Sequence, residues 1–489
     1  MTPDARGRQP FVIAGRPRYS DEADQVKAPF NGALLGEVSL AGRTDVEAAI
    51  GLAAEALRRG LAPHQRAEVL DQAALLLAER REHLAWQISA EVGKPISLAR
   101  AEADRAVSTL RFSAAVARTH AGQGVTIDAA PSGAGKLAYT MTEPVGVIAA
   151  ITPFNFPLNL VAHKLAPAIA AGCPVVLKPA PQAPFTALAF AQVLFDAGLP
   201  GDFLSVVPGK AEEIGAVLTG DDRIAAITFT GSTRVGWLLR QQAPRKTVLL
   251  ELGNSAPAIV HADADLEMAA AKLTVGAFAF AGQSCVSVQR VYAHREIVDE
   301  LSNLVVSRTH AMGVGDPSDQ KVTVGPVIDD PACQRITSWI EQALNAGAGL
   351  VCGGSAHQRL IAPTVLSDVP AESPLEREEA FGPVFGITAY DDVDTAFNRA
   401  NDTRFALQAS IFTSDLRLAL DATKALAFGG VLVNEAPSFR TDGMPYGGNK
   451  DSGNTREGPA SAVRELTEER LVIIDQLATP RSRAERLSR

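Results

Sequence analysis

A run of alternating elements beginning at Glu143 narrows the possible folds more than any other feature of this chain. Val145-Gly-Val-Ile-Ala-Ala-Ile151 is continuously apolar, the pattern of a strand covered on both faces in a parallel sheet. Helical spacing follows over Leu158 to Ala171, then a strand Pro174 to Leu177 and a helix Pro184 to Ala197. The series continues with strand Leu204 to Val207, helix Ala211 to Leu218, strand Ala226 to Phe229 and helix Ser232 to Arg240. Repetition of strand and helix predicts a doubly wound α/β sheet of the nucleotide-binding type. A second alternating run extends from Thr247 to about Asn434, with strands at Ala258 to Val260, Arg290 to Ala293, Phe385 to Ala389 and Val431 to Asn434.

Ahead of these runs, Leu34 to Leu40 reads as a strand. Thr44, with Glu47 three residues on, reads as the capping box of a helix through Arg59. His64 to Ala78, Arg81 to Val92 and Ile96 to Ala117 are three further amphipathic helices, the second closed by Gly93 and Pro95. Gly122 to Thr140 is rich in Gly, Ser and Pro and reads as a β excursion. The apolar segment Arg470 to Asp475 needs a strand partner, either Leu137 to Met141 or the same element of another subunit.

A chain of 489 residues exceeds one hydrophobic core. Its net charge of −9 argues against a nucleic-acid or anionic-membrane partner. Apolar runs fall far short of the ~20 residues that span a bilayer, and the start of the chain lacks the apolar core of a signal peptide. Four scattered cysteines (Cys173, Cys285, Cys333, Cys352) give neither a zinc spacing nor a disulfide framework. A reduced cytoplasmic setting and no metal site are expected.

Several strand ends carry chemistry. Pro153-Phe-Asn-Phe-Pro157 holds Asn155 at the end of a strand, where ligands of open α/β sheets bind. Asn155 either caps the next helix or donates its amide to a developing oxyanion. Lys178-Pro-Ala-Pro181 ends the next strand. Gly231 and Ser232 open a helix with free N–H groups and a hydroxyl for a phosphate, or simply cap it. Glu251 ends the apolar strand Val248 to Leu250 just before Leu252 and Gly253, as a surface charge or a site carboxylate. Cys285 follows the small residues Ala281 and Gly282. It is either a buried structural thiol or a nucleophile, and a nucleophilic thiolate needs a positive field such as a helix N-terminus.

In this order the motifs Pro153-Phe-Asn-Phe-Pro157, Lys178-Pro179, Phe229-Thr-Gly-Ser232, Glu251-Leu-Gly253, Gly282-Gln-Ser-Cys285, Glu379-Ala-Phe-Gly-Pro383 and Pro445-Tyr-Gly-Gly-x-Lys-x-Ser-Gly453 resemble the aldehyde dehydrogenase superfamily. The resemblance runs from about Asn31 to Asp475. It implies a Rossmann-like cofactor domain over residues 1–121 and 142–250, and a second α/β catalytic domain over 251–440. It also implies a small β bridging and oligomerisation element over 122–141 and 460–480; residues 481–489 are expected to be a disordered tail. Cys285 is then the nucleophile, Asn155 with the Cys285 N–H the oxyanion hole, and Glu251 the base that hydrolyses the thioester. The cofactor, NAD or NADP, is assigned to Ile151, Thr152, Pro153, Lys178, Ala180, Pro181, Gly231, Ser232, Leu252, Gly253, Glu379 and Phe381.

The family's NAD-preferring members usually carry a Glu where this chain has Pro181, so NADP should be tolerated. Asn254 stands where a second Gly is common, a residue that also accepts left-handed backbone geometry. Gly282 is expected to give the thiol loop room beside the nicotinamide. Arg105, Phe156, His163 and Arg440 are the candidate substrate residues, resembling the branch that handles lactaldehyde, succinate semialdehyde and other small polar aldehydes. For each Arg the alternative is a structural ion pair, and Arg290 reads as structural. A homodimer or homotetramer is implied. The alternatives are a coenzyme-A-acylating enzyme and a catalytically idle nucleotide-binding member.

Overall fold

A computed structural model describes residues 7–475. The expected tail over 481–489, and the outer ends of the first and last predicted segments, lie outside the described residues.

The first alternating run forms a seven-stranded sheet in the order Thr247–Glu251, Ile224–Thr230, Val147–Ile151, Val175–Lys178, Leu204–Val206, Phe11–Ile13, Arg16–Arg18. The first five strands are mutually parallel and Phe11–Ile13 adds antiparallel. Along Val147–Ile151 the side chains of Val147 and Ala149 enter one core and those of Ile148 and Ala150 the other. A period-2 backbone between two helical layers buries both faces, which explains the unbroken apolar run. From Val147–Ile151 the chain first adds strands on one side and later returns to the other. The crevice at that reversal is where such sheets take ligands.

The second run forms another seven-stranded sheet, Gly349–Cys352, Thr364–Ser367, Val384–Tyr390, Val288–His294, Ala256–Val260, Gln408–Phe412, Gly430–Val433. Here too Ala258 and Val260 face one core and Ile259 the other. The terminal strand Thr467–Asp475 pairs antiparallel with Lys136–Pro144 along its whole length. The excursion of the same chain therefore supplies the partner that the apolar end required. Leu471, Ile473, Ile474, Leu137 and Met141 remain exposed on this small sheet.

Some local expectations are corrected. The first long helix is Arg43–Arg59, and the Asp45 carboxylate accepts the Gly42 N–H at 3.1 Å. The cap thus lies at Gly42, not Thr44: Asp45 stands three residues after Gly42, the spacing at which its carboxylate reaches back to the cap N–H. Asn155 does not cap the helix Asn159–Ala171. That task falls to Glu102, whose Oε1 accepts from the N–H groups of Leu158 (2.9 Å) and Asn159 (3.1 Å). Glu91 does the same for the helix Pro184–Asp196, accepting from Phe185 and Thr186. Both helix starts are buried, where uncapped N–H groups would be costly.

Glu102 in turn pairs with the buried Lys94 ammonium, which lies 3.7 Å from the Phe156 ring centroid and 4.6 Å from that of Phe280. Burial pulls Lys94 below the usual lysine range, and Glu102 opposes that shift. Breaking such a pair from one side leaves an uncompensated buried charge. Lys94→Met is therefore expected to destabilise the fold by ~3–5 kcal/mol. Adding Glu102→Gln should recover part of the loss, since the amide oxygen still caps the helix. Chemical denaturation of the single and double variants measures both effects.

Candidate active site

The carboxyl ends of the first sheet's strands face the amino ends of the second sheet's strands across a cleft of about 1110 Å³. Every predicted catalytic and cofactor position lines it. Ile151, Thr152, Pro153 and Asn155 come from the end of one strand, Lys178, Ala180 and Pro181 from the next, and Gly231 and Ser232 from the third. Glu251, Leu252 and Gly253 follow the edge strand, while Cys285, Glu379 and Phe381 come from the second sheet. Ser232 precedes the helix Thr233–Gln242 and its side chain makes no capping bond, so the first N–H groups stay open to the cleft. A Cβ on Gly253 would sit 2.6 Å from Glu379 Oε2, so a side chain there would displace the Glu379 carboxylate. Lys178 is pulled down by burial, and Glu212, which lines the same end of the cleft, acts against that shift.

Cys285 lies on the loop between the helix Leu266–Phe278 and the strand Val288–His294. No helix starts at it, so the expected helix-terminus field is absent. The approach is strained: Phe280 (φ 55°) and Ala281 (φ 53°) are left-handed non-glycine residues, followed by Gly282 at φ 66°. A side chain on Gly282 would run into the Gly382 carbonyl. Gly282 is thus required by neighbouring backbone, a different reason from room for a ligand. Gln283 pins the turn: its amide donates to Pro326 O (3.2 Å) and its Oε1 accepts from Ile328 N (2.8 Å). The Asn155 amide donates to Gln283 O at 3.0 Å, locking the two loops together. Burial pushes the half-buried Cys285 thiol up to about 12; a bond with Tyr446 and the Arg440 charge pull it down, while Glu379 and Glu251 push it up. The other three cysteines are buried and free.

Glu251 is buried, and neither carboxylate oxygen has a hydrogen-bond partner. Burial, then the Glu457 charge, raise its pKa well above the carboxylate range. Glu379 is likewise pushed up to about 7 by burial, against a 3.1 Å bond from Asn254 N. Phe381 meets Phe154 edge-on, with ring centroids 5.9 Å apart. Asn254 is not left-handed. Its side chain instead stitches the Leu407–Gln408 backbone, donating to Gln408 O and accepting from Leu407 N, both at 3.3 Å.

The four candidate substrate residues lie outside the lining of this cleft, and of them Arg440 packs on the ring of Tyr446. Arg440 donates to Glu457 Oε2 at 3.0 Å, and Lys164 reaches Glu457 Oε1 at 3.2 Å. Arg105 holds Asp442 at 2.9 Å and passes 5.8 Å from the Phe156 ring centroid. Both arginines are therefore ion-paired. His163 Nε2 lies 3.1 Å from Asp442 Oδ1, an acceptor, which places the ring proton on Nε2. The 3.3 Å approach of Arg440 Nη2 to the same nitrogen is then a close contact of two donors. Arg105, Arg440 and Lys164 are thus paired with Asp442 and Glu457, and the charges of Arg440 and Lys164 also reach the Glu251 carboxylate. Arg290 is structural as read, donating to the carbonyls of Ser255, Arg399 and Ala400.

Sequence reasoning missed Lys94, Glu102, Asp442, Glu457 and the contact of Tyr446 with Cys285. Tyr446 and Glu457 stood in or beside a quoted motif, and Lys94 in the helix-stop Gly93-Lys94-Pro95. Asp442 and Glu102 carry no local signal.

The aldehyde dehydrogenase family model matches residues 18–472. A 3-sulfolactaldehyde dehydrogenase of Priestia aryabhattai is 43% identical over 439 residues, 90% of this chain and 92% of that protein. Aldehyde dehydrogenase 21 of Physcomitrella patens, solved with the reaction product succinate, superposes with a TM-score of 0.94 at 35% identity, covering 98% of this chain and all of that one (100%). An NADP-dependent glyceraldehyde-3-phosphate dehydrogenase of Bacillus halodurans, complexed with NADP, gives a TM-score of 0.93 at 34% identity over 96% of this chain and 99% of that one. The chain belongs to the aldehyde dehydrogenase family. Among the described residues, no helix is long and apolar enough to cross a membrane.

Burial lowers His163 from 6.5 to about 4, with the Arg440 charge in the same direction and Asp442 opposing. The folded pKa lies below the unfolded one, so the stabilisation is complete above pH 6.5 and is lost as pH falls toward 4. The loss is on the order of 3 kcal/mol. Denaturation midpoints should fall across that window, and His163→Gln should flatten the slope there.

Proposed function

We propose that the chain oxidises a small polar aldehyde to its carboxylic acid, with Cys285 as nucleophile, Asn155 as oxyanion donor and Glu251 as base. The observation that carries this reading is Glu251: a buried carboxylate with two unpartnered oxygens lining the same cleft as a thiol. A structural carboxylate at such burial would be paired.

Family membership makes the enzyme an NAD(P)-dependent oxidoreductase, and the cleft fits a dinucleotide. Gly253 leaves the Glu379 carboxylate in place against the cleft, Ser232 presents open N–H groups for a pyrophosphate, and Lys178 offers a cation. Glu379 and Phe381 would hold the ribose and ring at the thiol end. A nicotinamide bound there supplies the hydride acceptor. Cys285 Sγ adds to the carbonyl carbon, and the oxygen takes the negative charge, held by the Asn155 amide and the Cys285 N–H. Asn155 spends one amide hydrogen on Gln283 O and keeps the second for that oxygen. Once the acyl group is a thioester, Glu251 takes a proton from water, which attacks and releases the acid from sulfur. A raised pKa makes Glu251 a stronger base once the neighbouring cations hold it ionised. Pro181 presents no carboxylate to a 2′-phosphate, so NADP is accepted beside NAD.

The guanidinium donors of Arg105 and Arg440, grouped with His163, suit an aldehyde bearing an anionic or hydroxyl group. Relatives named for sulfolactaldehyde and lactaldehyde, and one solved with succinate, support that class. We read residues 1–121 and 142–250 as the cofactor domain and 251–440 as the catalytic domain. We read 122–141 and 460–480 as the bridging element, and the exposed apolar residues of its paired strands Lys136–Pro144 and Thr467–Asp475 are the surface for a homodimer or homotetramer. The free thiols fit a cytoplasmic setting.

An aldehyde panel followed by NAD(P)H absorbance, with both cofactors in parallel, tests the substrate class. Cys285→Ala should abolish turnover and leave cofactor binding nearly intact; turnover at the wild-type rate would refute the assignment. Glu251→Gln should give a burst of NAD(P)H before a slow steady state. A strict requirement for coenzyme A would favour the acylating alternative, and cofactor binding without turnover of any aldehyde the idle one.

A further inference from the structure

The Tyr446 hydroxyl is 2.9 Å from Cys285 Sγ. Tyr446 is buried, and the Arg440 guanidinium carbon lies 3.8 Å from its ring centroid. Arg440 is held by Glu457, but its Nε is buried without a partner. The thiol therefore meets a phenol whose far face is covered by a fixed cation. The other charged groups facing Sγ are carboxylates, Glu251 at the end of the strand Thr247–Glu251 and Glu379 ahead of the strand Val384–Tyr390. Both oppose a negative charge on sulfur, and behind Arg440 the Glu457 carboxylate is shared with Lys164. Cys285 does not begin a helix, and among the described residues the two influences that favour a thiolate are this phenol and the cation behind it.

We propose that Tyr446 is a catalytic residue: its hydroxyl donates a hydrogen bond to the Cys285 thiolate, and Arg440 on its ring face strengthens that donor. The inference rests on Cys285 being the nucleophile. Tyr446 keeps its proton throughout, because burial holds the phenol well above its ordinary value. The bond is to the sulfur lone pairs, and it weakens as one pair forms the C–S bond with the carbonyl carbon. Tyr446 thus favours the reactive form of the sulfur before attack and has no part in hydrolysis, which separates its role from that of Glu251.

Alkylation by iodoacetamide tests this without turnover. In the full-length protein, alkylation of the Cys285 peptide is followed by mass spectrometry across a pH series, for wild type and Tyr446→Phe. The substitution removes one oxygen and keeps the ring under Arg440. At each pH of the series where the thiol is mostly protonated, Cys285 should be alkylated ~10-fold more slowly in Tyr446→Phe than in wild type. kcat/KM should fall by a similar factor, with cofactor affinity unchanged. Superimposable alkylation profiles, or faster alkylation of the variant, would overturn the proposal. Failure of the nucleophile reading shows separately, as activity surviving in Cys285→Ala, since alkylation does not depend on catalysis.

Discussion

One buried ion pair, Lys94 with Glu102, stands at the junction of nearly everything the site needs. One oxygen of Glu102 binds the ammonium and the other takes two N–H groups at the start of the helix Asn159–Ala171. That helix carries His163 and Lys164, and the turn before it carries Asn155. The ammonium in turn rests between Phe156, next to Asn155, and Phe280, in the strained turn before Cys285. A charge desolvated this completely is weak evidence for stability, because its burial costs about as much as the pairing returns. What the pair provides is geometry. It fixes the loop with the oxyanion donor and the loop with the thiol against one point, and the bond from Asn155 to Gln283 completes the link.

The thiol loop shows how that geometry is maintained. Two consecutive non-glycine residues in the left-handed region cost of order 1–3 kcal/mol each. Phe280 compensates by full burial against the Lys94 ammonium and the core, and Gln283 by ties to Phe280, Pro326 and Ile328. The backbone at Gly282 then passes so close to Gly382 that no side chain fits. Strain on one side and close packing on the other hold the sulfur at one place along the cleft, which a reaction between fixed partners requires.

How much of this was legible in the sequence follows from the range of each interaction. The strand Val147–Ile151 was legible because its burial on two faces is written in consecutive apolar residues. Cys285, Asn155 and Glu251 were legible because each sits in a short motif at a strand end, and the motifs recur in a family's order. Helix starts are legible to within about a residue, but the groups that cap them are not: Asn159–Ala171 is capped by Glu102, 56 residues from Leu158, and no local capping pattern announces that. Arg105 and Arg440 stand out in the sequence as cations, yet their partners are invisible there. Asp442 lies 337 residues from Arg105, and nothing near either residue signals the pairing.

The placement of charge around the sulfur resolves an apparent contradiction in the site. Glu251 must be ionised to act as a base, and a second carboxylate, Glu379, also opposes negative charge on the thiol. Left alone, a thiolate and two carboxylates in one buried space would each suppress the others' ionisation. Arg440 and Lys164 act on Glu251 in the opposite sense, and Arg440 also acts on the thiol. Yet Arg440 touches neither directly: it is held back by Glu457 on one side and by the Tyr446 ring on the other. A guanidinium in direct contact with Glu251 would fix that carboxylate as a salt bridge and end its use as a base. Set one aromatic ring behind the sulfur, it lends its field to both groups while leaving the Glu251 oxygens unbonded and free to take a water.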